Sequence, residues 1–315
     1  MSVTSVAVEV RGAEGAPEQA IQGRSQWQLT WRRLLSDKVA VISLIVIVIM
    51  VALAIAAPAF AALTGHPPDT AYPNTGETAA GLPVAPGTNG FLLGTDGSGR
   101  DLLVRILYGA RISLFVGVVT TLIATVAGVT VGMVAGYFGG VIDAVLSRFV
   151  DAVLAFPYVV LALALAVVLG PSLSVILGVI SFFTWAGISR IVRGQTLSIK
   201  EKEYIEAAFI PQAIIFESTL SYLGLGIQPP TASWGNILGD AQSFYQQAWW
   251  YVVFPAAALL ITTLAFNLLG DGIRDAMDPR TERIFAGGRR RKLDRARRKA
   301  ARRGDRPAAS APGEA

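Results

Sequence analysis

The chain has no cysteine and only one histidine, His66, in 315 residues. Without cysteine there is no disulfide framework, no thiolate metal site and no Cys nucleophile. A lone histidine removes His-rich metal sites and argues against a Ser-His-Asp triad. No G-x-x-x-x-G-K-[ST] run occurs, so the chain carries no P-loop for ATP of its own. Charge is also scarce, because Asp, Glu, Lys and Arg make up 16% of the residues where a soluble domain carries about 25%.

The charges that remain are unevenly placed. Five stretches, 39–68, 112–142, 152–189, 218–239 and 241–270, contain none, and together they cover nearly half the chain. A bilayer core of about 30 Å needs about 20 apolar helical residues per crossing, so each stretch is long enough to cross. Gly170-Pro171 divides the longest run into two crossings joined by a turn. The expected fold is an all-α membrane protein with six transmembrane helices over 39–61, 112–134, 153–169, 172–189, 209–227 and 249–269.

Positive charge orients the six spans. The N-terminal segment, the loops 140–155 and 190–206 and the tail after 270 hold 24 of the 27 Lys and Arg residues. The other face holds Arg100, Arg105 and Arg111. Both termini are therefore expected in the cytoplasm. Residues 1–38 read as a cytoplasmic segment and 39–61 as an uncleaved first transmembrane helix, because the charged region before it is longer than that of a signal peptide. Residues 62–111 read as an extracytoplasmic loop, rich in Gly and Pro at first. Leu103, Ile106, Leu107, Ala110 and Leu114 recur at helical spacing after Asp96-Gly97-Ser98, which predicts a short amphipathic helix along the outer surface running into the second span. The tail 286–315 is basic, and is read as a solvated, disordered positive-inside segment facing anionic lipid rather than a nucleic-acid binder. Trp234, Trp249 and Trp250 are expected as interfacial anchors.

After the fourth span comes a polar, helix-favouring loop, Arg190 to Ala208, containing Lys202-Glu203-Tyr204-Ile205-Glu206-Ala207-Ala208. It suits a helix presented to a soluble partner. In this position it resembles the Glu-Ala-Ala loop of the inner-membrane permease subunits of ABC importers, and in particular the C-type permeases of dipeptide and oligopeptide importers. Other patches are similar to that subfamily in the same order. They are Gly94-Thr95-Asp96-Gly97-Ser98-Gly99-Arg100-Asp101 with Tyr108 to Leu114, Gly136 to Gly140 with Asp143, Arg148 and Asp151, Leu223 to Pro230 with Ser233-Trp234-Gly235, and Asp271 to Asp275 with Asp278-Pro279-Arg280.

The resemblance implies a type I ABC importer transmembrane domain, with residues 112–285 as the permease core. It implies a sister permease, two ATP-binding subunits on the cytoplasmic face and an extracytoplasmic solute-binding protein. ATP would be used by those partner subunits, with no cofactor, metal or catalytic residue in this chain. Lys202, Tyr204, Glu206, Ala207 and Ala208 would form the contact with the ATPases. The solute would be a peptide or, as an alternative within the same resemblance, nickel or another small solute. The outer motif of Gly94, Thr95, Asp96, Gly99, Arg100 and Asp101 reads either as a capping turn or as a docking point for the binding protein.

The family pattern continues after Glu-Ala-Ala with three residues, a glycine, and later an Ile and a Leu-Pro. Here Ala208 runs directly into Phe209-Ile210-Pro211-Gln212-Ala213, with Gln212 where the glycine belongs. Against the resemblance about thirty residues are missing, roughly the remainder of a coupling helix and the start of a span at ~1.5 Å per residue. Glu217 lies inside the shortened span. It reads either as part of the solute path or as an acid satisfied within the helix packing. A secondary transporter driven by an ion gradient would be expected to carry several intramembrane acids, and Glu217 stands alone. A membrane-embedded enzyme finds no supporting constellation of His, Asp, Glu and Ser.

Overall fold

The computed structural model describes residues 26–194 and 202–277, without the side chains of 26–29 and 202–208. Among the described residues there are nine helices and no strands, only isolated bridges within 77–101. The helices are α1 (Gln26–Ser36), α2 (Lys38–Thr64), α3 (Leu102–Phe138), α4 (Gly140–Ala155), α5 (Tyr158–Leu169), α6 (Leu173–Gly194), α7 (Lys202–Tyr222), α8 (Trp234–Ala241) and α9 (Trp249–Met277). The N-terminal segment before Gln26, the loop 195–201 and the basic tail 286–315 lie outside the described residues.

Helix boundaries follow local chemistry. Asp37 caps α2 by accepting the Val39 N–H at 2.9 Å, and the helix stops at Gly65, whose φ of 73° is the left-handed conformation that glycine tolerates. Asp101 caps α3 by accepting from Val104 N at 3.2 Å. Ser233 and Asn236 form a reciprocal capping box at α8.

Four helices, α2, α3, α6 and α9, are long and apolar enough to cross a membrane, and α4 with α5 makes a fifth if that bent pair counts as one. The six continuous spans expected from the charge-free runs are therefore not all present in that form. The third, expected at 153–169, is broken at Phe156-Pro157, where the two helices turn by 79°. Proline has no N–H to continue the ladder, and its ring excludes the preceding residue from helical geometry, so α4 ends at Ala155. The loop expected at 140–155 is the helix α4. The fifth expected span lies in α7, which includes Lys202, Glu203, Glu206 and Glu217 and is not among the apolar helices. Pro211 does not interrupt it. The short helix expected to run into the second span forms the first three turns of α3, a single helix of 37 residues.

Contacts fix how the helices run. Gly128 lies against Trp185 and Ile188, and Gly132 against Ser189 and Val192, so α3 and α6 run parallel. A Cβ at Gly128 or Gly132 would sit 2.7 Å from a backbone oxygen of α6, so only glycine permits this approach. Ser113 bonds Glu217, and Gly117 meets Ile214 and Ile210, so α7 runs antiparallel to α3. The Arg33 guanidinium donates to Ala276 O at 3.3 Å, and Gly272 packs on Ala40, which pairs the start of α2 with the end of α9. One end of the bundle thus collects segment 62–101, the start of α3, the end of α7 and α8. The opposite end collects Asp37, the α3–α4 corner, the end of α6 and the end of α9. Two apolar cores divide the interior, one around Trp234, Trp250 and Tyr251 and the other along the α3–α6 seam.

Candidate functional site

Segment 62–101 carries little regular structure, and charged side chains pin it in place. Asp96 is fully buried. Its Oδ1 accepts from Ser98 N at 2.9 Å and Arg100 N at 3.0 Å, while its Oδ2 accepts from Arg100 Nε at 2.6 Å. The same Oδ2 lies 3.1 Å from Nε of Arg105, itself fully buried in the first turn of α3. Arg105 also donates to Pro68 O at 3.1 Å and reaches Pro230 O at 3.5 Å. One guanidinium therefore ties the loop, α3 and the segment before α8 together.

The rest of the outer motif extends this hub. Thr95 Oγ1 donates to Gly76 O at 2.6 Å and accepts from Val84 N at 2.9 Å. Asp101 caps α3 with one oxygen and meets His66 Nδ1 at 2.8 Å with the other. His66 stacks on Phe91, with ring centroids 4.5 Å apart. Gly94 and Gly99 hold turns at φ of 76° and 70°. Arg100 reaches from Asp96 toward Asp240, at 3.9 Å. Burial raises the Asp240 carboxyl above the usual range, with Arg100 and Arg105 opposing that shift. The motif residues Gly94, Thr95, Asp96, Gly99, Arg100 and Asp101 are thus brought together by their own hydrogen bonds. Arg105, His66 and Asp240 complete the group without having been singled out from sequence. The readable signal for Arg105 was a basic residue on the apolar stripe of α3.

Glu217 is also fully buried, near the end of α7. Its Oε2 accepts from Ser113 at 3.0 Å and Ser218 at 3.3 Å, and its Oε1 accepts from Ser221 at 2.7 Å. It lines neither of the two best-defined cavities among the described residues. The larger, about 240 Å³, lies at the α4–α5 corner between α6 and α7. Its wall is largely aromatic, with Phe156, Tyr158, Phe183, Phe209 and Phe216 beside Gln212.

Lys202, Tyr204, Glu206, Ala207 and Ala208 lie in the first two turns of α7, and their side chains fall outside the described residues. They continue without a break into the helix that carries Glu217. At the same end of the bundle, Arg193 pairs with Asp143 at 2.5 Å and Arg190 pairs with Asp151, joining α6 to α4. Arg148 was quoted beside these acids from sequence, but the two pairs use Arg190 and Arg193. The tryptophans also divide. Trp249 is exposed as expected of an anchor, whereas Trp250 is buried and Trp234 has no exposure and donates its indole N–H to Ile106 O at 3.1 Å. Those two are core residues, because the cores form around them rather than at the lipid interface.

Comparison with known proteins supplies the lineage. Residues 25–79 match the family model described as the N-terminal TM domain of oligopeptide transport permease C, and residues 128–213 match that of the binding-protein-dependent transport system inner membrane component. The chain is 37% identical over 289 positions to the oligopeptide transport system permease protein OppC of Escherichia coli strain K12, covering 82% of this chain and 93% of that protein. It is 37% identical over 298 positions to the OppC protein of Haemophilus influenzae, covering 85% and 93%. It is also 37% identical to the dipeptide transport system permease protein DppC of Bacillus subtilis, over 82% of this chain and 87% of that protein. In the Escherichia coli comparison the 289 positions occupy only about 258 residues of this chain, 82% of 315, so about 31 positions have no residue here. With a helical multi-pass architecture and near-full-length likeness to these permeases, the chain belongs to the family of binding-protein-dependent transport system inner membrane components, in the branch of the oligopeptide and dipeptide permeases.

Proposed function

We propose that this chain is one of the two permease subunits of an ATP-driven importer that moves peptides across the cytoplasmic membrane. The observation that carries this reading is the 37% identity extending over 93% of a protein named as an oligopeptide permease. In this reading the chain crosses six times as a type I transmembrane domain. The crossings are α2, α3, the bent pair α4–α5, α6, α7 and α9, and the alternating directions of their contacts support this. The end holding Arg193, Asp143 and the α9 terminus faces the cytoplasm, since the positive charge gathers there. Segment 62–101 and α8 face outward, toward an extracytoplasmic binding protein.

The chain itself gates the path and uses no nucleotide. Hydrolysis belongs to two partner ATPases, and a contact helix converts it into movement of the bundle. Glu206, Ala207 and Ala208 are the remnant of that contact, and two observations support its being shortened. About 31 positions of the relatives have no counterpart, and the match to the inner-membrane family model stops at residue 213. The 21 residues of α7 span about 31 Å at ~1.5 Å each, close to one bilayer core. Glu206 to Ala208 therefore sit at the membrane edge, on the same rod as Glu217.

The test is reconstitution with the sister permease, the ATPases and the binding protein, followed by uptake of a labelled peptide pool driven by ATP. Peptide uptake that needs this chain supports the reading, and uptake that proceeds equally well without it overturns it. Restoring a relative's intervening residues after Ala208 is expected to raise co-purification of the ATPases. Equal co-purification with and without that insertion would remove the shortened-contact reading while leaving the importer reading intact.

A further inference from the structure

Glu217 has no exposure to solvent, and the three groups bonded to it are serine hydroxyls rather than a cation. A buried acid in a membrane helix is costly to keep, so its retention calls for a specific reason. The reason is legible in what its bonds connect. Ser113 belongs to α3 and Ser221 to the last turn of α7, and the Ser221 hydroxyl also accepts the Ile227 N–H at 2.9 Å. Ile227 O accepts from the Asn236 amide at 3.1 Å, which donates at 2.7 Å to Thr231 O as well. A continuous hydrogen-bonded path thus runs from α3 through Glu217 and Ser221 to the irregular segment 223–233 and on to α8.

That segment has firm anchors on either side, and in between Leu225 N donates to Leu220 O at 2.9 Å, the Gln228 amide donates to Gly224 O at 2.8 Å, and Arg105 reaches Pro230 O at 3.5 Å. Trp234 is fixed to Ile106 O of α3. Tyr222 ends α7, and the chain leaves it through Gly224 at φ of 77°, a conformation that costs glycine nothing. Between these points the segment has no regular structure of its own, and its Ile227 side chain plugs the core formed along α3, α6 and α7.

We infer that Glu217 is a positioning residue that latches segment 223–233 onto α3, at the end of the permease proposed above to face outward. The latch is reversible by construction. A hydroxyl on a helix has a second acceptor in the carbonyl four residues earlier, a bond that Thr120, Thr219 and Thr263 of this chain already make. Ser113 and Ser221 can therefore turn away from Glu217 without leaving a hydroxyl unpaired, so the cost of opening falls on the Glu217 carboxylate and the Ile227 N–H that lose their partners. The inference rests on the orientation proposed above and does not depend on what the solute is.

Because the chain has no cysteine, a single introduced thiol reports on the latch without background. The full chain carrying Ile227→Cys, in membranes, is exposed from outside to a membrane-impermeant maleimide. Ile227 is 5% exposed, so labelling is expected to be slow. Adding Glu217→Ala is expected to speed it about tenfold, the shift in an opening equilibrium that loss of one such hydrogen bond brings. Adding Glu217→Gln, whose amide oxygen can accept from one serine while its NH2 donates to the hydroxyl oxygen of the other, is expected to restore slow labelling. Ser113→Ala, a milder truncation, should act in the same direction as Glu217→Ala and serves where the latter fails to insert. Ile180→Cys on the α3–α6 seam should stay slow in every background. Unchanged labelling of Ile227→Cys in the Glu217→Ala and Ser113→Ala chains would overturn the inference. So would a Gln variant as fast as Ala, or a parallel rise at Ile180→Cys.

Discussion

At the end of the bundle that holds segment 62–101, Arg105 and Asp96 pair with neither side chain exposed, whereas at the opposite end Arg193 and Asp143 pair with side chains 44% and 25% exposed. The chemistry is the same and the consequence differs. Once two charges are out of water, removing one strands the other, so a buried pair is expensive to break even where it adds little net stability. An exposed pair exchanges its partner for water at almost no cost. The end holding segment 62–101 is therefore costly to rearrange, because its irregular backbone is fastened by buried charged groups. The opposite end is fastened by exposed ion pairs that can be remade at little cost.

The sharpest way to break this comparison is Asp96→Ala, which leaves the Arg105 guanidinium buried without its carboxylate. A loss of about 3–5 kcal/mol is expected, read as a large fall in melting temperature of the detergent-purified chain. A small fall would mean that the Asp96–Arg105 hub tolerates solvent and that the two ends do not differ in kind. Midway between the ends, Gly128→Ala drives a methyl group against Trp185 O and Ile188. A destabilisation of about 1–3 kcal/mol is expected, with the α3–α6 seam loosened in hydrogen exchange.

A subtler effect separates the hub from its rim. Burial raises the Asp240 carboxyl in the folded chain above its unfolded value. Folding then favours the protonated acid, so this contribution is present below the unfolded carboxylate range and is lost as pH rises through the folded value. Asp240→Asn is expected to flatten that limb of the stability–pH curve, and a parent and variant with parallel curves would contradict it. The smallest effect is expected from Arg193→Ala. Its melting temperature should match the parent's in high salt and differ from it at most slightly in low salt. A fall comparable to that of Asp96→Ala would show that the Arg193–Asp143 pair is buried in the working assembly and would remove the contrast between the ends.

Much of the architecture was legible because a bilayer imposes a length on apolar runs. The charge-free stretches containing α2, α6 and α9 and the longer part of α3 needed only counting. Proline alone could not reveal the break at Phe156-Pro157, because Pro58, Pro211 and Pro255 lie inside unbroken helices while Pro157 does not. The outer motif was legible as a cluster of Asp, Gly and Arg, but composition alone could not distinguish a turn that closes on itself from one that faces a partner. Asp96 and Asp101 look alike in the sequence. Burial and hydrogen-bond partners separate them, one serving two arginines and the other a helix cap with a histidine. Trp234 was misread because an indole near the end of an apolar run suits an interface and a core equally well until the packing is known.

The sequence by itself determined that this is a membrane permease of the binding-protein-dependent family and how its charge is distributed along the chain. Those properties depend on the count and order of residues along the chain, and the transfer of charge into hydrocarbon enforces them. Only the tertiary structure decided that Glu217 is enclosed by hydroxyls from α3 and α7, and that Arg105 joins three segments far apart in sequence. Burial and hydrogen bonding are relations between residues distant along the chain, and packing alone brings them within 3 Å.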